Sequence, residues 1–161
     1  MVAELDDVVV CASPGGFVFC LCPAGREGAP AVQARDGVTA LVDQVCLDIP
    51  SGRHDAEAAF WSALTGWALD PGEVRDEFER LVVPPDLPLR VLLQRLDEAD
   101  GPVRAHADLS SADRETEVAR HVALGATRGE DGRGWTVISD PGGLVYCVTD
   151  RRPGVEPTAR P

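Results

Sequence analysis

The chain contains no lysine; all 15 of its positive side chains are arginine. A Schiff-base lysine, a P-loop lysine and a lysine general base are therefore excluded. Positive charge is also nowhere concentrated, and 27 acidic residues bring the formal net charge to -12. That balance excludes nucleic-acid partners and anionic membrane surfaces, both of which require clustered cations. No hydrophobic run is long enough to span a membrane: the longest, residues 8–22, is broken by Pro14-Gly15-Gly16. Glu4, Asp6 and Asp7 precede it, where a signal peptide would carry positive charge. A cytoplasmic location is the resulting expectation. The five cysteines (Cys11, Cys20, Cys22, Cys46, Cys147) are odd in number and scattered through apolar runs, so they make no disulfide framework. Cys20-Leu21-Cys22 lacks the spacing of a zinc or redox pair. Buried, reduced thiols are expected at all five positions.

At 161 residues, 44% of them hydrophobic, the chain can bury one domain with a short appendage. Residues 23–40 are rich in Gly, Pro and Ala and lack an apolar period, so they read as a linker, and 151–161 as a tail. Between them, residues 41–49 alternate as a strand, with Leu41, Val45, Leu47 and Ile49 on one side and Gln44, Cys46 and Asp48 on the other. The period then becomes helical over 55–65, with Gly66 placed to end the helix. Strands follow near 67–69, 78–83 and 89–96, punctuated by Pro71-Gly72 and Pro84-Pro85. From Val103 the order recurs: a strand over 103–109, a helix over 112–124, and strands near 126–129, 135–139 and 144–148. The fold class is α+β, built from two βαβββ modules at 41–100 and 103–150. In register, Gln44 and Leu47 match His106 and Leu109, Gly66 matches Gly125, and Gln94 matches Cys147.

A second repeat has a longer period. Residues 8–22 lie over residues 135–149, sharing Pro-Gly-Gly, a valine and a cysteine in register. Residues 1–22 therefore read as a β-hairpin like the end of a further upstream module, with the earlier part of that module absent. Such a ribbon cannot bury its own apolar residues. It is expected to extend a sheet edge of its own domain, or that of a partner subunit by exchange across the linker, which gives a homodimer.

These motifs resemble the glyoxalase/bleomycin-resistance/extradiol-dioxygenase (vicinal oxygen chelate) superfamily, in its glyoxalase-like branch. The resemblance rests on Phe60-Trp61-Ser62-Ala63-Leu64-Thr65-Gly66-Trp67, Ala105-His106-Ala107-Asp108-Leu109, Leu124-Gly125-Ala126-Thr127 and Asp140-Pro141-Gly142-Gly143-Leu144-Val145-Tyr146-Cys147. It implies that the modules curl into a curved mixed sheet around a cavity. It also implies that Gln44, Gln94, His106 and Cys147 stand where metal-dependent members place their ligands. Two neutral amides and a cysteine depart from the carboxylate and imidazole donors of an active site.

His106 is the leading candidate, as ligand, metal donor or base, with Asp108 one step along the same strand face; its other reading is a cavity-wall histidine bonded to backbone or water. Cys147 reads either as a nucleophile lowered by His106 or as a buried structural thiol. Gln44 and Gln94 read either as ligand-orienting amides or as part of a solvated sheet face. Trp61, Trp67 and Trp135 read as core or cavity wall. His54 and His121 read as exposed and without a role. Two functions follow. The first is a small-molecule-binding protein that holds a hydrophobic or oxygenated compound, as resistance proteins do, without an intact family metal site. The alternative is a lyase, isomerase or dioxygenase using a divalent ion (Zn, Ni, Fe or Mn) on His106, Gln44, Gln94 and Cys147. A third reading is a decayed copy kept for assembly.

Overall fold

The structure is a computed structural model that describes residues 3–5, 7–23, 33–35, 38–70, 77–85, 87 and 89–153. Most of the expected linker, the Pro71-Gly72 turn and most of the tail lie outside the described residues. Among the described residues, twelve strands and two α-helices follow one another: β1 (Ala3–Leu5), β2 (Val8–Ala12), β3 (Val18–Leu21), β4 (Gln33–Arg35), β5 (Val38–Pro50), α1 (His54–Thr65), β6 (Leu69–Asp70), β7 (Phe78–Leu81), β8 (Arg90–Leu96), β9 (Arg104–Ser111), α2 (Arg114–Ala123), β10 (Thr127–Gly132), β11 (Trp135–Ser139) and β12 (Val145–Thr149). The expected βαβββ order is present twice. Gln33–Arg35, expected within the linker, pairs antiparallel with the start of β5.

The chain forms two compact units, one of residues 1–29 and 46–105, the other of residues 30–45 and 106–161. In the first, strand order runs from the second half of β5 through β8 and β7 to β6. Cys46, Leu47, Ile49, Ala58, Leu81, Leu93 and Val103 are buried there. Helix α1 begins with Asp55 and Glu57, favourable at the positive end of the helix dipole, and ends at Gly66, whose φ of 73° suits a residue without Cβ.

The ribbon β1-β2-β3 belongs to this first unit but forms a sheet of its own. Among the described residues it does not extend a sheet edge of its own domain, the first of the two expectations; it packs against α1. Phe19 lies 4.9 Å from Trp61 and 6.0 Å from Phe60 between ring centroids, and Phe17 lies 6.1 Å from Trp61. The Gly15 amide donates to the buried Glu57 carboxylate, whose other oxygen accepts from Trp61 Nε1 at 2.9 Å. The aromatic side chains account for this contact, because ring-on-ring packing adds to the apolar burial that Phe17 and Phe19 gain on the helix.

In the second unit the order is β10-β11-β12-β9, then the first half of β5. β12 and β9 run parallel, and the β10–β11 and β11–β12 pairs are antiparallel, so this sheet is mixed. Val118 of α2 packs with Ile138 and Val148 as its core, against Ala126 and Tyr146. Asp113 caps α2 by accepting from the Thr116 amide at 3.1 Å.

The repeat of residues 8–22 and 135–149 holds at the level of hydrogen bonds. The pairs Val10↔Cys20 and Cys11↔Phe19 correspond to Val137↔Cys147 and Ile138↔Tyr146. In the turns, the Ser13 amide donates to the Phe17 carbonyl as Asp140 does to Leu144, and Gly16 and Gly143 have φ of 86° and 88°. Ser13 Oγ and Asp140 Oδ1 accept from the amides of Phe17 and Leu144. The helices also match at a spacing of sixty residues: Glu57, Ala59, Ala63 and Leu64 align with Glu117, Ala119, Ala123 and Leu124.

Candidate functional site

Alternation along β9 turns His106 and Asp108 to one face of the sheet. Cys147 on β12 is the direct cross-strand partner of Asp108. One donor atom from each, the imidazole nitrogen, a carboxylate oxygen and Sγ, lies within 4.8 Å of the other two. Asp108 and Cys147 are buried, and the His106 side chain is 14% exposed. His106 Nε2 stands 3.4 Å from Asp108 Oδ1.

Gln44 joins them from β5. Its Nε2 donates to Asp108 Oδ2 at 2.5 Å, so it is buried on the site rather than on a solvated face. Asp108 Oδ1, the oxygen nearer His106, has no hydrogen-bond partner among the described residues. Arg151 donates to Asp43 at 2.6 Å and brings Nη1 to 3.9 Å from Asp108 Oδ2. Sequence reasoning missed Arg151, because it sits in what reads as a polar tail; the available signal was a buried Asp43 needing a cation.

Gln94 belongs to the other unit. There its Oε1 lies 3.6 Å from Cys46 Sγ, which also lies 3.9 Å from Asp48 Oδ1. Cys46 and Gln94 hold the register positions of Asp108 and Cys147, so each unit repeats the same strand-to-strand contact with different chemistry.

Three expectations are corrected. His54 is 3% exposed, and burial, followed by the Arg95 charge, lowers its pKa. His121 is mostly enclosed: its Nδ1 lies 2.7 Å from the Tyr146 hydroxyl and its Nε2 2.9 Å from Glu117 Oε1. A hydrogen bond from Arg120 holds the buried Glu117 carboxyl below its ordinary range, with help from His121, while burial pushes the Tyr146 phenol up. The thiols divide: Cys46 and Cys147 are buried and Cys11 half-buried, whereas Cys20 on β3 and Cys22 just beyond it are exposed.

The model of the glyoxalase-like domain matches residues 44–149. The chain belongs to the glyoxalase-like domain family. Among solved structures, this glyoxalase-like domain is similar to a hypothetical protein from Bacillus halodurans C-125, with TM-score 0.51 and 12% identity over 73% of this chain and 98% of that one. It is also matched to a variant of homoprotocatechuate 2,3-dioxygenase from B. fuscum (TM-score 0.46, 17% identity, 83% of this chain and 36% of that one). A mutant of glyoxalase I from Zea mays gives 0.34 and 16%, covering 89% and 53%. The domain thus spans about a third of the dioxygenase and half of the plant enzyme. The likeness to the Bacillus protein is one of fold. No curated protein sequence matches it. No helix among the described residues is long and apolar enough to cross a membrane.

Proposed function

We propose that this glyoxalase-like domain binds a small oxygenated compound through Gln44, His106, Asp108 and Cys147. The observation that carries the reading is the buried Asp108 Oδ1 without a hydrogen-bond partner among the described residues, beside an imidazole and a thiol. A buried acceptor without a donor costs about 1–3 kcal/mol, and a ligand hydroxyl removes that cost. Gln44 holds the other oxygen and fixes the carboxylate plane. His106 offers a donor or acceptor according to its tautomer, so adjacent hydroxyl and carbonyl groups find complementary partners.

Ligand-observed NMR with catechols, α-hydroxy acids and α-hydroxy ketones tests this on metal-free protein. At least one class is expected to bind the wild type, and to bind Asp108→Asn and His106→Ala tenfold or more weakly. Binding by none, or equal binding by the variants, rejects it. A second reading, a metal-dependent lyase, isomerase or dioxygenase, is favoured by the three clustered donors. A divalent ion would polarise a ligand oxygen there as a Lewis acid.

A further inference from the structure

We infer that Asp108 receives the protonated amino group of a ligand, so that the small oxygenated compound proposed above is an amino alcohol rather than a hydroxy acid. The inference rests on that binding reading and adds to it the charge of the ligand. Three observations support it.

The balance of buried charge comes first. Asp43 and Asp108, both in the unit that holds β9 to β12, are each 5% exposed. Among the described residues, Arg151 is the guanidinium that reaches both. Its hydrogen bond goes to Asp43 Oδ1 at 2.6 Å, whereas its Nη1 stands 3.9 Å from Asp108 Oδ2. Two enclosed carboxylates thus share one guanidinium, and a buried charge without a full counter-ion is unfavourable. A ligand ammonium balances the pair, whereas a ligand carboxylate would add a third like charge.

The open acceptor comes second. Gln44 Nε2 donates to Asp108 Oδ2 at 2.5 Å, and Oδ1 has no hydrogen-bond partner among the described residues, although His106 Nε2 is 3.4 Å away. An N–H donor that carries charge bonds a carboxylate about twice as strongly as neutral groups bond each other, so an ammonium satisfies Oδ1 better than a hydroxyl does. A carboxylate oxygen of Asp108, a His106 ring nitrogen and Cys147 Sγ lie within 4.8 Å of one another. A primary ammonium carries three N–H donors on one atom, whereas a hydroxyl carries one. The carboxylate takes the charge, and the imidazole and sulfur accept from the remaining N–H groups or meet the neighbouring hydroxyl.

The field of the whole chain comes third. A formal net charge of -12 favours the approach of cations and disfavours that of anions.

A matched set of ligands tests the assignment on metal-free, reduced full-length protein at neutral pH. Phenylethanolamine, phenylethanediol and mandelate place a cation, a neutral group and an anion on one skeleton, and ligand-observed NMR gives their affinities. The amine is expected to bind about tenfold or more tightly than the diol, and mandelate more weakly than either. N-acetylation of the amine removes its charge and is expected to remove its advantage. Asp108→Asn is expected to reduce the ratio of amine to diol affinity to about twofold or less. The acetylated ligand carries the test if that variant fails to fold. The assignment is overturned, with the binding reading left standing, if the diol or mandelate binds as tightly as the amine, if acetylation leaves the advantage intact, or if the ratio is unchanged in folded Asp108→Asn. Binding of a catechol or hydroxy ketone by protein that ignores the amine overturns it equally. Binding of none of these compounds rejects the binding reading itself.

Discussion

Single residues show where a polar side chain in an amphipathic helix goes when neighbours claim it. His54 and His121 have the local surroundings of surface residues, yet one is sealed at the start of α1 and the other bridges Glu117 and Tyr146. The signal for His121 was its spacing of four residues from Glu117, the same spacing that joins Glu57 to Trp61. For His54 no local signal exists, because its burial comes from strands distant in sequence. Its lowered pKa has a direct consequence. As pH falls through the ordinary histidine value of 6.5, the unfolded chain takes up a proton that the folded ring still refuses. Stability attributable to this position is therefore complete above 6.5 and declines below it. Urea midpoints measured from pH 7.5 to 5 are expected to fall in the wild type and to fall less in His54→Leu; parallel curves would show that burial of this ring does not set the dependence.

At the scale of elements, the boundaries of the two helices and most strands were legible because hydrophobic period and turn residues agree there. The strand Trp135–Ser139 was read to the residue. Gln33–Arg35 was not legible, since three residues carry no period and their pairing is dictated by β5. The destination of the N-terminal ribbon was also hidden: sequence shows that it needs a partner, but only Phe17 and Phe19 meeting Phe60 and Trp61 choose a helix over a sheet edge. The two copies of the ribbon allow a matched comparison. A Cβ at Gly15 would collide with Val103 and approach Glu57 Oε1 to 2.8 Å, whereas at Gly142 the nearest atom is Asp140 Oδ1 at 3.2 Å on an exposed turn. Gly15→Ala is expected to cost about 1–3 kcal/mol and Gly142→Ala within about 0.5 kcal/mol. Chemical denaturation of both variants checks this, and equal costs would mean that the ribbon's contact with α1 contributes little.

For the whole molecule, duplication made the fold readable, since two weak patterns in the same order constrain each other. Of the candidate site, Asp108 follows from strand alternation beside His106, and Gln44, Gln94, His106 and Cys147 from the positions the resemblance implies; the contact of Gln44 with Asp108, the unsatisfied Asp108 oxygen and the Arg151–Asp43 pair depend on pairing between distant strands. Arg151→Ala, or a chain stopped at Asp150, leaves the buried Asp43 carboxylate without its cation and is expected to cost about 2–4 kcal/mol by thermal or urea unfolding. An unchanged midpoint would show that water replaces the guanidinium. The path of β5 carries a last consequence. Residues 38–45 serve the unit that holds β9 to β12, and the remainder of the strand serves the other. A gene cut at the repeat boundary would strip the later fragment of Asp43 and Gln44, so the repeating segment and the compact unit do not coincide, and a split protein is expected to need its missing strand back by complementation.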